Sequence, residues 1–291
     1  NNFDMLYDFC NEKSIDLVVV GPEVPLVNGV VDFLETKDIR AFGPKKVPAK
    51  LEGSKIFMKD ICARYSIPTA KYQDFIEKTA AEAYLHKQQL PVVIKASGLA
   101  AGKGVTIATT LDEGLNAIND IFNDKFGSGC ELVIEEFMDG EEASYFVFTD
   151  GKNYIPLSSA QDHKRIGDGD TGPNTGGMGA YSPAPVFTQA IQDQVNKEMI
   201  EPTLKAMRDL GTPYQGILYA GVMIKNNYAK LVEYNVRFGD PECQVLMLRL
   251  RSDIVELILG TIDGNIHKIH TDWNNNHVAT VVMASNGYPG E

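Results

Sequence analysis

The stretch IKASGLAAGKGVTIA, residues 94–108, constrains the fold of this chain more than any other. Gly98, Gly102 and Gly104 surround Lys103 and lie between two short runs of β-branched residues. A Walker phosphate loop needs four residues between its glycines, a Ser or Thr after the lysine, and a helix behind the loop. Here the glycine spacing is one residue short, a glycine follows the lysine, and VTIATT indicates a strand. The stretch therefore predicts a glycine-rich hairpin and excludes a Walker loop.

Such a hairpin has two interpretations. It can fold over a nucleotide and offer backbone N–H groups to the phosphates, with Lys95 as a point charge for the α- or β-phosphate. It can equally be a surface hairpin whose glycines only serve the turn. The hairpin alone leaves both open.

The stretch LVEYNVRF, residues 231–238, favours the nucleotide interpretation. Strand alternation predicts that Leu231, Glu233, Asn235 and Arg237 share one face and that the apolar residues between them share the other. Carboxylate and amide oxygens suit Mg²⁺, which proteins commonly share with nucleotide phosphates. The alternative is a solvated outer face, and it is the weaker one because RFGDPE follows with a turn and more carboxylates.

Composition narrows the class of partner. The net charge of −12 and the pI near 4.9 argue against a nucleic-acid surface, which needs an excess of Lys and Arg. The four cysteines are scattered, which indicates reduced thiols in a cytoplasmic protein. No apolar run approaches the length of a membrane span. We therefore expect small-molecule partners, no nucleic acid and no membrane.

Local periodicity predicts the remaining elements. Helix and strand alternate over the first 44 residues, including one helix through Val27–Leu34, as in a parallel α/β sheet. Single helices are predicted from Lys45 to Tyr65 and from Ile191 to Met207, and residues 158–186 are predicted to form a long functional loop. The strand HVATVVMAS is predicted to open another domain.

The order of four stretches resembles the ATP-grasp superfamily: SKIFMK, IKASGLAAGKGV, VIEEFMDGEE and LVEYNVRFGDPE. Within it, GPEVPLVNGVVD, QDHKRIGDGDTGPNTGGMGAYSP and EYNVRFGDPECQ are similar to the glycinamide ribonucleotide synthetase family. The resemblance covers essentially the whole chain.

The resemblance implies an α/β fold with an α+β ATP-grasp core. Residues 1–44 would be the remnant of a Rossmann-like N-terminal domain, 45–265 the ATP-grasp domain with a lid at about 70–134, and 266–291 the start of a C-terminal domain. The family's glycine-rich opening turn is absent and its C-terminal domain almost so. We expect the natural protein to continue past both ends, and its fusion to other purine enzymes stays open.

The resemblance also implies ATP, with Mg²⁺ or Mn²⁺, and a set of site residues. Nucleotide contacts would come from Lys55, Lys95, Gly98, Gly102, Lys103, Gly104, Glu135, Glu136, Phe137 and Glu142. Substrate contacts would come from Glu23, Pro25, Asp162, His163, Lys164, Asp170, Asn174, Gly176, Gly177 and Met178. Glu233 and Asn235 would hold the metal, and Arg237 and Lys95 would take part in the chemistry.

The implied reaction joins glycine to 5-phosphoribosylamine through glycyl phosphate, with release of ADP and phosphate. Three alternatives stay open from the residues alone. These are another ATP-grasp carboxylate ligase, a carboxylase acting on bicarbonate, and a catalytically inactive ATP-binding fragment of a multifunctional purine enzyme.

Overall fold

A computed structural model describes residues 2–99, 104–123, 131–169 and 171–290. In chain order the strands are β1 (Leu17–Val19), β2 (Arg40–Phe42), β3 (Tyr72–Phe75), β4 (Val92–Ala96), β5 (Val105–Ala108), β6 (Leu132–Glu136), β7 (Glu141–Thr149), β8 (Tyr154–Pro156), β9 (Gln161–Asp162), β10 (Arg165–Gly167), β11 (Thr171–Asn174), β12 (Gly179–Ser182), β13 (Gly216–Lys225), β14 (Tyr228–Asn235) and β15 (Val278–Val281). The helices are α1 (Phe3–Glu12), α2 (Glu23–Asn28), α3 (Val30–Glu35), α4 (Lys50–Gly53), α5 (Lys55–Arg64), α6 (Lys78–Leu85), α7 (Leu111–Phe122), α8 (Gln189–Val195), α9 (Glu201–Asp209), α10 (Glu242–Arg249) and α11 (Ile254–Ile262).

A four-stranded antiparallel sheet, ordered β14-β13-β7-β8, forms the centre of the molecule. Alternation along β7 sends Tyr145 and Val147 into one apolar core and Phe146 and Phe148 into another on the opposite face. Helices α5, α8 and α9 contribute to the first core, and α10 and α11 to the second. The predicted mixed α/β fold is confirmed.

A second sheet, which we call the lid sheet, is ordered β3-β6-β4-β5 and has its own apolar core with α6 and α7. Strands β4 and β5 pair antiparallel, with Lys95 opposite Val105. The glycine-rich stretch therefore does join two strands, as its spacing predicts. The lid sheet and the central sheet meet at the cavity described below.

Near the N-terminus β1 and β2 pair in parallel, with α1 packed beside them. The helix predicted through Val27–Leu34 is two helices, because Gly29 takes a left-handed conformation with φ of 88° between α2 and α3. The helix predicted from Lys45 to Tyr65 is likewise interrupted. Ser54 is extended there and its Oγ accepts a hydrogen bond from the N–H of Phe57, so it caps α5.

The long segment 158–186 is more ordered than the predicted loop. It contains β9, β10, β11 and β12, with β10 and β11 paired as a short hairpin. Strand β12 lies between β9 and β15, so the last strand of the chain adds to this small sheet. The helix predicted from Ile191 to Met207 runs from α8 to α9 through a π-helical turn, Asn196–Ile200. In the described residues, no helix combines the length and apolar character needed to cross a bilayer.

Candidate active site

A cavity of about 920 Å³ lies between the lid sheet, the end of β14 and the N-terminal region. Most of the residues that the sequence predicts as site residues line it. They are Glu23, Lys55, Lys95, Gly98, Gly104, Glu135, Glu136, Phe137, Glu142, Asp162, Lys164, Asn174, Gly176, Glu233, Asn235 and Arg237. Segments far apart in the sequence therefore converge on one space large enough for a nucleotide and a small substrate.

Some predicted residues lie elsewhere. Pro25, His163, Gly177 and Met178 are not on the cavity wall, and Gly102, Lys103 and Asp170 fall outside the described residues. His163 follows Asp162 at the end of β9, where alternation turns its ring away from the cavity and towards Tyr181, with ring centroids 5.6 Å apart.

Gly177 supports the wall from behind. Its φ is 126°, and a Cβ there would lie 2.4 Å from Cδ of Pro241, so the tight approach of the two loops requires glycine.

On the lid side, Lys59, Glu135 and Lys95 form a buried group that we call the lid cluster. The Nζ of Lys59 lies 3.1 Å from Oε1 of Glu135, and the Nζ of Lys95 lies 2.9 Å from Oε2. No side chain of the three is more than 6% exposed. Glu135 is thus held between two ammonium groups, whereas the resemblance implies that it contacts adenosine.

Lys55 begins α5 and points into the cavity beside the glycine-rich hairpin. Its Nζ donates a hydrogen bond to the backbone oxygen of Gly98 at 3.3 Å. Burial lowers the pKa of Lys55, and nearby Lys95 lowers it further, while Glu233 opposes both. Lys55 therefore lies where a further negative charge would favour its protonated form.

Strand β14 presents Glu233 and Asn235, but not through the simple alternation predicted. Gly221 pairs with Glu233 and Val222 pairs with Leu231, so Val232 is an extra residue in a β-bulge. The bulge places Leu231 in the apolar core, whereas it was predicted on the face of Glu233. The prediction for Leu231 is wrong because one inserted residue reverses the faces before it.

Glu233 is surrounded by cations. Burial alone would raise its pKa, yet the pKa is lowered because positive side chains lie nearby. These are Lys164, Lys95, Lys55 and Arg237. Glu233 therefore stays ionised.

Near the start of β7, Oε1 of Glu142 lies 2.6 Å from Nζ of Lys164, so the two side chains form an ion pair. Burial raises the pKa of nearby Asp162 to about 6, although Lys164 opposes this shift. Glu142 is thus engaged by Lys164 in this structure, while the resemblance implies that it contacts adenosine.

On the N-terminal side, Glu23, Glu52 and Arg237 form what we call the arginine cluster. Arg237 donates from Nε to Glu23 at 3.2 Å and from Nη2 to Glu52 at 3.1 Å. Glu52 also accepts the backbone N–H of Val236 at 2.7 Å. Burial raises the pKa of Glu52 to about 7, although Arg237 lowers it.

The sequence does not predict Glu52, Lys59 or Glu242 as site residues. Glu242 is 2% exposed and its Oε1 lies 2.7 Å from the hydroxyl of Tyr219 and 3.0 Å from that of Ser144. Glu52 lies two residues before the start of SKIFMK, Lys59 ends that stretch and Glu242 ends RFGDPE, so closeness to those stretches was the available signal.

The described residues fit a nucleotide better than a metal alone. Among them, no three His, Cys, Asp or Glu side chains come together as a metal site. Glu233 and Asn235 supply two hard oxygen ligands, and Mg²⁺ typically completes its shell with waters and phosphate oxygens. The cations around Glu233 oppose a bare metal ion and favour phosphates.

Comparison with known proteins agrees with this geometry. Residues 53–243 match the family described as phosphoribosylglycinamide synthetase, ATP-grasp (A) domain, and residues 1–52 match its N domain. A phosphoribosylamine–glycine ligase of Brucella melitensis is 55% identical over 285 residues, which are 98% of this chain and 67% of that protein.

Solved structures show the same fold. The crystal structure of phosphoribosylamine–glycine ligase from Thermotoga maritima matches with a TM-score of 0.80 and 34% identity, over 86% of this chain and 63% of that chain. A biotin carboxylase–β,γ-ATP complex from Campylobacter jejuni matches with a TM-score of 0.75 and 17% identity, over 96% of this chain and 61% of that chain, which shows the fold alone.

This chain thus spans about two thirds of the length of such relatives. The family models together cover residues 1–243, and the relatives extend the match over nearly the whole chain. The resemblance stated from the motifs is confirmed: the chain belongs to the phosphoribosylglycinamide synthetase family of ATP-grasp proteins, whose relatives are named phosphoribosylamine–glycine ligases.

Proposed function

We propose that this protein joins glycine to 5-phosphoribosylamine with consumption of ATP, giving glycinamide ribonucleotide, ADP and phosphate in purine biosynthesis. The names of its relatives favour this reaction over a carboxylase or an inactive nucleotide-binding module. One observation carries the proposal. The lid hairpin and the strand with Glu233 and Asn235 face one cavity, and the cations between them suit a polyphosphate.

In this proposal the lid side binds ATP. Lys55 and Lys95 contact its phosphates, and the backbone around Glu136 and Phe137, at the end of β6, contacts the adenine edge. The Nζ of Lys95 also donates to the backbone oxygen of Val232 at 3.4 Å, which links the lid sheet to the strand bearing Glu233. Closure of the lid sheet would bring Lys95 to the phosphates beside Lys55 and exclude water.

The chemistry needs two steps. A carboxylate oxygen of glycine attacks the γ-phosphorus of ATP, the bond to the β-phosphate oxygen breaks, and ADP leaves. The amine of phosphoribosylamine then attacks the acyl carbon of glycyl phosphate, phosphate leaves with its electron pair, and the nitrogen loses a proton. Phosphorylation is required because a free carboxylate has no adequate leaving group at neutral pH.

The protein contributes positioning and charge in these steps. Glu233 and Asn235 would hold a divalent cation, Mg²⁺ or Mn²⁺, which when bound offsets charge on the transferring phosphoryl group. Arg237 is fixed by Glu23 and Glu52 and would stabilise negative charge on the acyl phosphate. Asp162 at the end of β9 and Lys164 between β9 and β10 reach the cavity and would bind the phosphoribosyl group. The cytoplasmic location and the absence of nucleic-acid partners stay predictions.

Glu233→Gln tests the proposal. We expect glycine-dependent ADP release to fall at least about 100-fold, because the amide lacks the negative charge that holds the cation. The matched control is Glu141→Gln, an exposed carboxylate of β7 in the same sheet. Unchanged turnover in Glu233→Gln would contradict the assignment of Glu233 as a metal ligand. ADP release that depends on bicarbonate and does not respond to glycine would show a carboxylase instead of a ligase.

A further inference from the structure

Lys59 is a fully buried lysine behind the cavity wall. It lies one helical turn after Lys55 on α5, but its side chain is 0% exposed and it points at Glu135 instead of into the cavity. Its Nζ donates a hydrogen bond to Oγ1 of Thr69 at 2.8 Å and lies 5.2 Å from the ring centre of Tyr72. Burying an ammonium group costs desolvation free energy, so the position of Lys59 indicates a role beyond filling the core.

The charges of the lid cluster do not balance. Two lysines share one carboxylate, and all three groups are buried. Burial lowers the pKa of Lys59 while Glu135 beside it raises it, and with both lysines protonated the cluster carries one surplus positive charge. Of the two lysines only Lys95 lies on the cavity wall. The surplus charge is therefore presented to the cavity through Lys95.

The two oxygens of Glu135 have different surroundings. Oε2 is 2.9 Å from Lys95, whereas Oε1 accepts no hydrogen bond from any residue that the structure describes, although Lys59 lies 3.1 Å away. Lys59 donates one of its three N–H groups to Thr69, which in turn donates to the backbone oxygen of Leu231 at 2.7 Å. Lys59 thus acts on Glu135 chiefly through its charge, from a position fixed by neighbouring groups.

A lysine in a one-to-one ion pair with a carboxylate contributes no net charge, and it must break that pair to bind a phosphate. We propose that Lys59 is a positioning residue of the nucleotide site. Because Lys59 shares Glu135 with Lys95, the carboxylate does not fully compensate the positive charge of Lys95, which is directed at a nucleotide phosphate. Lys59 does this without touching the ligand. The proposal rests on the proposed use of ATP.

Lys59→Met tests the proposal through binding rather than turnover. Calorimetry is done with ADP and Mg²⁺, and with adenosine as the probe that lacks phosphates. We expect Lys59→Met to weaken ADP binding about tenfold or more, because Glu135 then neutralises Lys95, and to leave adenosine binding within about threefold. Equal losses for ADP and adenosine, or no loss for ADP, would overturn the proposal.

A second variant separates charge from packing. Lys59→Met combined with Glu135→Gln removes one positive and one negative charge, so Lys95 again carries the surplus. We expect ADP affinity to return to within about threefold of the parent. A structural role alone predicts that the double variant binds ADP no better than Lys59→Met, and that result would overturn the proposal.

Glu135→Gln keeps the proposal testable even where Lys59→Met does not fold. It leaves both lysines without the carboxylate, and because Glu135 itself lines the cavity, the affinity for ADP is compared with that for adenosine: we expect the ratio of the two to equal or exceed that of the parent. A loss of tenfold or more in this ratio would contradict the proposal. The parent protein is the reference throughout: if it binds no ADP, the proposed function fails, whereas if it binds ADP and Lys59→Met binds equally well, only the role of Lys59 fails.

Discussion

The lid cluster and the arginine cluster each contain three charged side chains and border the same cavity, but they carry opposite surplus charge. The lid cluster has two lysines and one carboxylate, and the arginine cluster has one arginine and two carboxylates. The first suits a polyanion, because bound phosphates complete its charge balance. In the second, two carboxylates hold Arg237 in one place, and burial raises the pKa of Glu52 to about 7 although Arg237 opposes this shift.

Because their surplus charges differ, we expect the lid cluster to affect nucleotide binding and the arginine cluster to affect the chemical steps. A cluster with surplus positive charge gains when the nucleotide arrives, so its effect should appear in ADP affinity. A cluster with surplus negative charge fixes a guanidinium in advance, so its effect should appear in turnover and in the free energy of unfolding.

The largest expected effect comes from Arg237→Met. The variant leaves Glu23 and Glu52 facing each other without a cation, with side-chain exposures of only 23% and 10%. We expect unfolding free energy to fall by about 2–4 kcal/mol and glycine-dependent turnover to fall at least about 100-fold, with ADP affinity within about threefold of the parent. Denaturant titration and calorimetry measure these quantities. An ADP loss as large as that of Lys59→Met would show that the clusters are not distinct.

The next effect is the pH dependence of stability caused by Glu52. Its pKa rises from about 4.5 to about 7 on folding, so between these values the folded protein holds a proton that the unfolded chain has lost. Its contribution to the free energy of unfolding therefore falls as pH rises through this window, by up to about 3 kcal/mol.

Glu52→Gln removes this titration. Chemical denaturation of parent and variant from pH 5 to pH 8 should show the parent losing stability relative to the variant as pH rises. Glu23→Gln is the matched control, because it contacts the same arginine and keeps Glu52. If the difference in the free energy of unfolding between the parent and Glu52→Gln does not change with pH, the raised pKa of Glu52 is contradicted.

The smallest effect should come from an exposed pair. Lys225 and Asp139 lie 2.7 Å apart with side chains 56% and 73% exposed, so water screens their attraction. We expect Lys225→Ala to change Tm by no more than about 1 °C and to leave ADP binding unchanged. A larger change would mean that burial is not what distinguishes the two clusters from ordinary surface charges.

Local patterns in the sequence account for part of this site. The glycine-rich hairpin and the pair Glu233 and Asn235 were predictable because each depends on residues adjacent along one or two strands. The interruption of the first helices was missed, although Gly29 and Ser54 are residues that commonly end or cap helices.

The two clusters could not be predicted from local patterns. Lys59 and Glu135 meet only because α5 packs against β6, and Glu23, Glu52 and Arg237 come from three separate segments. Lys59 lies among Met58, Ile61 and Cys62, all buried, and a lysine on an apolar helix face was the one local hint. Its partner is set by tertiary packing.

The β-bulge at Val232 has a consequence for sequence comparison. After the bulge, Glu233 and Asn235 alternate regularly to the end of β14, and Arg237 follows two residues later in the bend after the strand, so this short segment sets the spacing of carboxylate, amide and guanidinium. Towards the turn before Tyr228 the extra residue is absorbed by the bulge, and a relative without it would still present the same carboxylate to the cavity. An insertion or deletion aligned at position 232 is therefore compatible with an unchanged site, whereas one between Glu233 and Arg237 is not.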